Sequence, residues 1–234
     1  MDNATGLGSE RNGDVLCLTF ERPKAANALN AALQGALVDA LTRAAADDTV
    51  KAVLLGAAGD RVFSAGADLK EYSERPHAEA GALRRALLRA SLLALADFPK
   101  PLVCAVRGKA IGGGLMLALL ADEVHAAEGA QFSLPEIRIG IPTPVGATLV
   151  AARAGRPAAI RLTQGGEAME GGAALSCGLI DGLHAGDALE AAALARAQAL
   201  ARLDLTAYAH NKRWINRALR AEIVAALELA ATLG

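Results

Sequence analysis

Arg107-Gly-Lys-Ala-Ile-Gly-Gly-Gly-Leu-Met-Leu-Ala-Leu-Leu120 follows the apolar run Pro101-Leu-Val-Cys-Ala-Val106 and precedes Glu136 in Phe132-Ser-Leu-Pro-Glu-Ile137. The apolar run reads as a strand. Leu115 to Leu120 is rich in helix formers, so the glycines stand between strand and helix. Glycine lets a backbone approach a ligand where a Cβ would clash. A helix N-terminus at that point would aim free N–H groups at developing negative charge. Taken alone, a glycine triplet serves equally as a tight turn, and Glu136 as a surface residue of a loop.

Phe63-Ser-Ala-Gly-Ala-Asp-Leu-Lys-Glu71 repeats the arrangement after a second strand-like run, Lys51-Ala-Val-Leu-Leu55. Two strands that each end in a small-residue loop can bring two backbone N–H groups against one oxygen. That is the geometry of an oxyanion hole.

The 234 residues suit one domain with ample apolar content for a core. The net charge is −1, which gives no electrostatic reason to expect nucleic acid or a membrane surface as partner. Cys17, Cys104 and Cys177 are widely spaced in apolar or small-residue surroundings. They read as buried free thiols of a cytoplasmic protein in a reducing compartment. No signal segment opens the chain, and no apolar run reaches transmembrane length. Residues 1–13 are polar and Gly-rich, and are expected to fray. No His/Cys cluster has metal-ligand spacing.

Val15 to Phe20 reads as a strand with Val15, Cys17 and Thr19 on one face and Leu16, Leu18 and Phe20 on the other. Leucines spaced by four predict a helix over 28–46, and Leu83, Leu87, Leu88, Leu92 and Leu95 predict another over 79–96. Further strands are expected at 53–55, 102–106 and 124–127. From Val145 onward the pattern is almost wholly helical, with breaks at Gly155-Arg-Pro157, Gly165-Gly166, Gly171-Gly172 and Gly186, and a long helix over 209–232. Strand–helix alternation followed by helices argues an α/β fold.

Arg22-Pro-Lys-Ala-Ala-Asn-Ala-Leu-Asn30, Phe63 to Glu71, Arg107 to Gly114, Phe132 to Gly140 and the stretch from Arg161 to Asp181 occur in an order and at a spacing that resemble the enoyl-CoA hydratase/isomerase (crotonase) superfamily. The resemblance covers about residues 14 to 230. It implies a crotonase-like spiral of ββα units, shared with the Clp peptidases, up to about residue 185. A helical region that builds a homotrimer or homohexamer then follows. The single domain would run over 14–234, and the family's usual C-terminal tail is expected to be absent.

The resemblance also implies roles. The N–H groups of Ala67 and Gly113 would hold the thioester oxygen of an acyl-CoA, and coenzyme A would enter as part of the substrate, with no covalently bound cofactor. Ala65, Ala67, Asp68, Leu69 and Lys70 match the CoA-contact stretch. Asp68 is expected to hydrogen-bond within its loop, and Lys24 is a second candidate contact. Glu136 would be the base, in an apolar setting that raises a carboxyl pKa.

Two departures bear on the reaction. Hydratases of this family carry a second glutamate where this chain has Met116, which neither gives nor takes a proton but packs along an acyl chain. Many members carry Pro-Gly-x-Gly-Gly where this chain has Thr143-Pro-Val-Gly-Ala147, and Pro144 lacks an N–H. One surviving glutamate suits a double-bond shift of the Δ3-Δ2-enoyl-CoA isomerase kind. Hydration with a substitute carboxylate from Glu71, Asp122 or Glu123 is an alternative, as is another reaction of the superfamily, decarboxylation included. A noncatalytic acyl-CoA binder is a third reading. A serine hydrolase built on Ser64 with His77, His125, His184 or His210, and an RNA-binding helix built on Arg84, Arg85 and Arg89, lack accompanying motifs.

Overall fold

The computed structural model describes residues 4–71, 73 and 77–233. In chain order the elements are β1 (Leu7–Asn12), β2 (Val15–Phe20), α1 (Ala31–Ala46), β3 (Ala52–Ala57), β4 (Val62–Ser64), α2 (His77–Ala96), β5 (Leu102–Val106), β6 (Lys109–Ile111), α3 (Gly113–Ala118), β7 (Glu123–Ala127), β8 (Gln131–Ser133), α4 (Pro144–Ala159), β9 (Ala168–Glu170), α5 (Gly171–Ser176), β10 (Gly182–His184), α6 (Leu189–Ala201) and α7 (Leu205–Thr232).

The strands form two sheets. The larger has the order β1-β2-β3-β5-β7-β10 and is parallel except for the β1–β2 hairpin. The smaller has the order β4-β6-β8-β9. Each of β3, β5 and β7 therefore hands the chain to a three-residue strand of the second sheet before a helix follows. This is the spiral of ββα units that the resemblance implies. β5 is buried along its whole length, as an all-apolar central parallel strand must be when both faces are covered. The alternation of β2 sorts its side chains as expected. Leu16, Leu18 and Phe20 join the main core, while Val15 and Cys17 join a second cluster beneath α6 with Leu189, Ala193 and Ala197.

Several expectations are corrected. Residues 7–12 do not fray: they form β1, paired residue for residue with β2, and Leu7 is buried. The exposed Glu10, Arg11 and Asn12 hid this edge strand, because a strand that faces water on both sides shows no apolar alternation. Residues 1–3 lie outside the described part. α1 begins at Ala31, not Ala28, because Asn30 caps it by accepting from Leu33 N at 3.0 Å. The carboxylate of Glu71 accepts from Ala31 N at the same helix end.

The region after Val145 is less helical than its composition suggests, since β9 and β10 interrupt it. Gly155 breaks the helical path of α4 (φ 76°, ψ 172°), at the expected place. Gly171 and Gly172 open α5 instead of breaking the chain, and a Cβ on Gly171 would stand 2.8 Å from Leu183 Cδ1. Of the three cysteines Cys104 is buried, Cys17 is half-buried and Cys177 is exposed near the end of α5, so the last is not a core thiol. His184 is half-buried at the end of β10. Its ring stacks on His125 with centroids 5.1 Å apart, and His125 Nδ1 lies 2.9 Å from His184 Nε2. Both rings close over Gly182, where a Cβ would meet His125 Nδ1 at 2.6 Å.

α7 is fastened to the sheet by a buried ion pair. Lys212 Nζ donates to Asp122 Oδ2 at 2.7 Å and to the Lys100 carbonyl at 3.0 Å. On its outer side the same helix exposes Trp214 and Ile215.

Candidate active site

Three loops leave the second sheet at one edge. β4, β6 and β8 run parallel, so their C-terminal ends share that edge. In parallel sheets of α/β proteins this is where ligands bind. The loops carry Ala65 to Lys70, Gly112 to Gly114, and Leu134 to Thr143.

The first two loops touch. Gly66 has φ +79°, and a Cβ on it would stand 2.9 Å from the Ile111 carbonyl oxygen and 3.2 Å from Gly113 N. Only glycine permits that approach. Ala67 sits opposite Leu29 in an isolated parallel bridge. Leu29 N donates to the Gly66 carbonyl and Asp68 N to the Leu29 carbonyl. In such a bridge the central residue turns its own N–H away from the partner. Gly113 is the first residue of α3, where an N–H has no acceptor within the helix. Among the described residues, neither the Ala67 nor the Gly113 amide donates a hydrogen bond, whereas Gly112 N is engaged by the Ser133 carbonyl at 2.9 Å.

Polar residues that local pattern did not single out hold these loops. Asn27 is fully buried at φ 50°. Its side chain accepts from Arg22 N at 2.9 Å and donates to the carbonyls of Ala58 and Val62 at 3.0 and 2.9 Å. Arg22 donates to Asp68 Oδ2 at 2.9 Å and to the Ala28 carbonyl. Asp68, expected to hydrogen-bond within its own loop, instead accepts from Arg22 on a different loop. Ser64 is buried, donates to the Asn27 carbonyl at 2.8 Å, and faces none of the described histidine side chains. It is a brace beneath the loop, not a nucleophile. Asn27 and Arg22 lie in a motif the sequence displays, Arg22 to Asn30, from which only Lys24 was drawn.

The third loop supplies the acid/base group. A five-residue 3-10 turn, Pro135–Ile139, carries Glu136 back over the glycines. A Cβ on Gly112 would stand 2.8 Å from Glu136 Oε1, so the bare face of Gly112 makes room for the carboxylate. Burial pushes the Glu136 carboxyl above its ordinary range, with its own backbone amide pulling weakly the other way. Its Oε2 is buried without a hydrogen-bond partner. Met116 N donates to the Gly112 carbonyl at 3.0 Å, so the buried Met116 stands one turn beyond Gly112.

The structure therefore brings Ala67, Gly113 and Glu136 to one place, with Met116 buried one turn into α3. Ala65 is half-buried at the root of the first loop, while Leu69 and Lys70 are exposed on its outer limb. Lys24 is exposed on the turn Pro23–Ala25, which Arg22 links to Asp68. The three suggested substitute carboxylates are engaged elsewhere. Glu71 caps α1, Asp122 holds Lys212 and the Leu102 amide, and Glu123 holds Arg196 and faces His125. Pro144 is the first residue of α4, where its missing N–H leaves no helical bond unmade. Arg84, Arg85 and Arg89 are half-buried along α2. The side chain of His77 lies outside the described part.

Among the described residues no group of three His, Cys, Asp or Glu is placed to hold a metal ion, and no helix is long and apolar enough to cross a membrane.

Residues 10–233 match the family model described as Enoyl-CoA hydratase/isomerase. Among curated proteins, the 2,3-dehydroadipyl-CoA hydratase of Escherichia coli strain K12 is 43% identical over 171 residues, 73% of this chain and 66% of that protein. The carnitinyl-CoA dehydratase of Salmonella enteritidis PT4 is 39% identical over 141 residues, 59% of this chain and 52% of that protein. The matches thus span less than two thirds of either relative's length. Among solved structures, an enoyl-CoA hydratase/isomerase from Pseudoalteromonas atlantica T6c superposes with a TM-score of 0.87 at 33% identity, covering 97% of this chain and 89% of the other. DspI of Pseudomonas aeruginosa superposes with a TM-score of 0.88 at 27% identity, covering 96% and 92%.

Proposed function

The chain belongs to the enoyl-CoA hydratase/isomerase family, and from that premise we propose that it shifts the double bond of an unsaturated acyl-CoA with Glu136 as its single base. Loss of a C2 proton from a 3-enoyl thioester places negative charge on the thioester oxygen. Two preorganised amides, Ala67 N–H and Gly113 N–H, stabilise that dienolate, each by roughly 3 kcal/mol. Glu136, now protonated, returns the same proton to C4, and the product is the 2-enoyl thioester. One carboxylate suffices because one proton is moved and none is gained or lost overall.

The observation that carries the reading is a buried methionine, Met116, one turn beyond Gly112, with Glu71, Asp122 and Glu123 all occupied elsewhere. Addition of water to the double bond requires a base for the water and an acid for C2 within one small space. A methionine wall serves an acyl chain instead. The names of the curated relatives favour a second reading, hydration or dehydration.

Purified protein given 3-enoyl-CoA and crotonyl-CoA separately distinguishes the two, by growth or loss of the 2-enoyl absorbance. We expect growth from the 3-enoyl substrate and slow loss from crotonyl-CoA. Brisk hydration of crotonyl-CoA without isomerisation would establish the second reading.

We further propose a homotrimer or homohexamer. Trp214 and Ile215 are 67% and 73% exposed on α7, and Ile137 and Ile139 are exposed beside the site, an apolar display that a second copy would cover. Light scattering at micromolar concentration should give three or six times the chain mass, and a monomer would refute this.

A further inference from the structure

Thr143 occupies the N-cap position of α4, where a threonine hydroxyl ordinarily accepts from an amide of the first helical turn. Here it makes no such bond, and the backbone at φ −126°, ψ 59° lies off the usual extended cap conformation. The carbonyl of Thr143 still receives the first helical bond, from Ala147 N at 3.0 Å. The helix is intact and only the side chain is turned from it. Its Oγ1 is buried without a hydrogen-bond partner.

Among the described residues, one other buried side-chain polar atom is left without a partner, and it is Oε2 of Glu136. The two belong to one neighbourhood. Ile141 N donates to the Glu136 carbonyl at 3.0 Å, and Thr143 follows two residues later, within roughly 7 Å along the chain. Leu134 and Thr143 side chains crowd the same point, at 2.8 and 2.5 Å from where a Cβ on Gly146 would be. A buried polar atom with no partner is costly, and two such atoms are commonly satisfied by one shared water.

We propose that Thr143 is a positioning residue for Glu136, its hydroxyl donating to a single bridging water that donates in turn to Oε2. The assignment rests on Glu136 being the base of the proposed reaction. Oε1 is the oxygen that lies over Gly112, 2.8 Å from where a Cβ there would be. Fixing Oε2 from behind holds Oε1 toward the substrate and keeps the carboxylate from turning. The charged groups around the turn are Arg138 on the turn itself, and Arg161 and Glu167, paired with each other at 2.8 Å, on the segment packed against it. Burial, not any of these charges, accounts for the raised affinity of Glu136 for its proton.

The test is the ionisation of Glu136 in substrate-free protein, followed by infrared difference spectroscopy on the carboxyl band that Glu136→Gln removes. Thr143→Val keeps the shape and deletes the hydroxyl. It should raise the Glu136 titration by about one pH unit, a tenfold change in its ionisation constant. The acid limb of the kcat/KM profile should move with it, while KM changes less than about twofold. Thr143→Ser should restore both. If Thr143→Val does not fold, Thr143→Ala is read in the same way. An unmoved titration in the hydroxyl-free protein overturns the proposal, and so does a serine variant that fails to restore it. A wild type that leaves 3-enoyl-CoA untouched overturns the double-bond shift instead, because the infrared titration needs no substrate.

Discussion

Glu136→Gln is expected to lower kcat by about two to four orders of magnitude on 3-enoyl-CoA, the ordinary contribution of a positioned general base. The amide has nearly the shape of the carboxylate but cannot take a proton. Because burial already disfavours the ionised carboxylate, a neutral amide in its place should leave the fold intact or slightly more stable. The pH dependence follows from the direction of the shift. Burial raises the Glu136 pKa above its usual value. The base is therefore lost to protonation earlier on acidification than an exposed glutamate would be, and the rate should fall on the acid side and stay level above. Stopped-flow rates across pH, with melting temperatures as a control for folding, test both parts. A glutamine variant within tenfold of wild type would remove Glu136 from the reaction.

Gly113→Pro is expected to cost about 10²- to 10³-fold in kcat, the loss typical of one oxyanion donor. Proline removes the N–H itself and puts ring carbon where the thioester oxygen would approach. The helix should tolerate it, since Gly113 is the first residue of α3, where proline suits the backbone. A Cβ there would meet Leu29 and Leu88 side chains at 3.4 and 3.5 Å, ordinary contact. Gly113→Ala is the control, since it adds a similar Cβ and keeps the donor. Equal losses in both variants would show that shape, not the amide, is at stake.

The long elements of this fold were legible because their packing writes a period into the chain. β5 is apolar throughout, β2 divides its residues between two clusters, and the leucines of α1 and α2 recur at helical spacing. The second sheet was not legible, because β4, β6, β8 and β9 are three residues each, too short to show alternation. The two glycine-bearing loops and Glu136 could be picked out because small residues after a strand and a carboxyl among apolar neighbours are local signals, whereas Ala67 and Gly113 as the donors follow from the family resemblance. The bonds of Asn27 to Ala58 and Val62, and of Arg22 to Asp68, join positions far apart in the chain. Nothing in a single stretch of sequence announces such partners. The role of Thr143 was not legible for a different reason: a threonine before a helix is normally a cap, and only the folded chain turns its side chain from that bond.

Both candidate oxyanion donors are main-chain groups, and this divides the chain into parts that evolution can and cannot edit independently. Among side-chain substitutions only proline deletes either the Ala67 or the Gly113 amide. What must be inherited intact is the set of residues that shapes the backbone: Gly66 against Ile111, Gly112 beneath Glu136, and Asn27 holding its two carbonyls. The groups that would choose among reactions, Met116, Glu136 and Thr143, are side chains on the loops and helix around that cradle. A lineage can therefore exchange one reaction for another by substitutions at a few wall positions while its means of holding an enolate persists unchanged. Swapping residues 116, 136 and 143 in combination, with the glycines untouched, is the natural library in which to look for new activities of this scaffold.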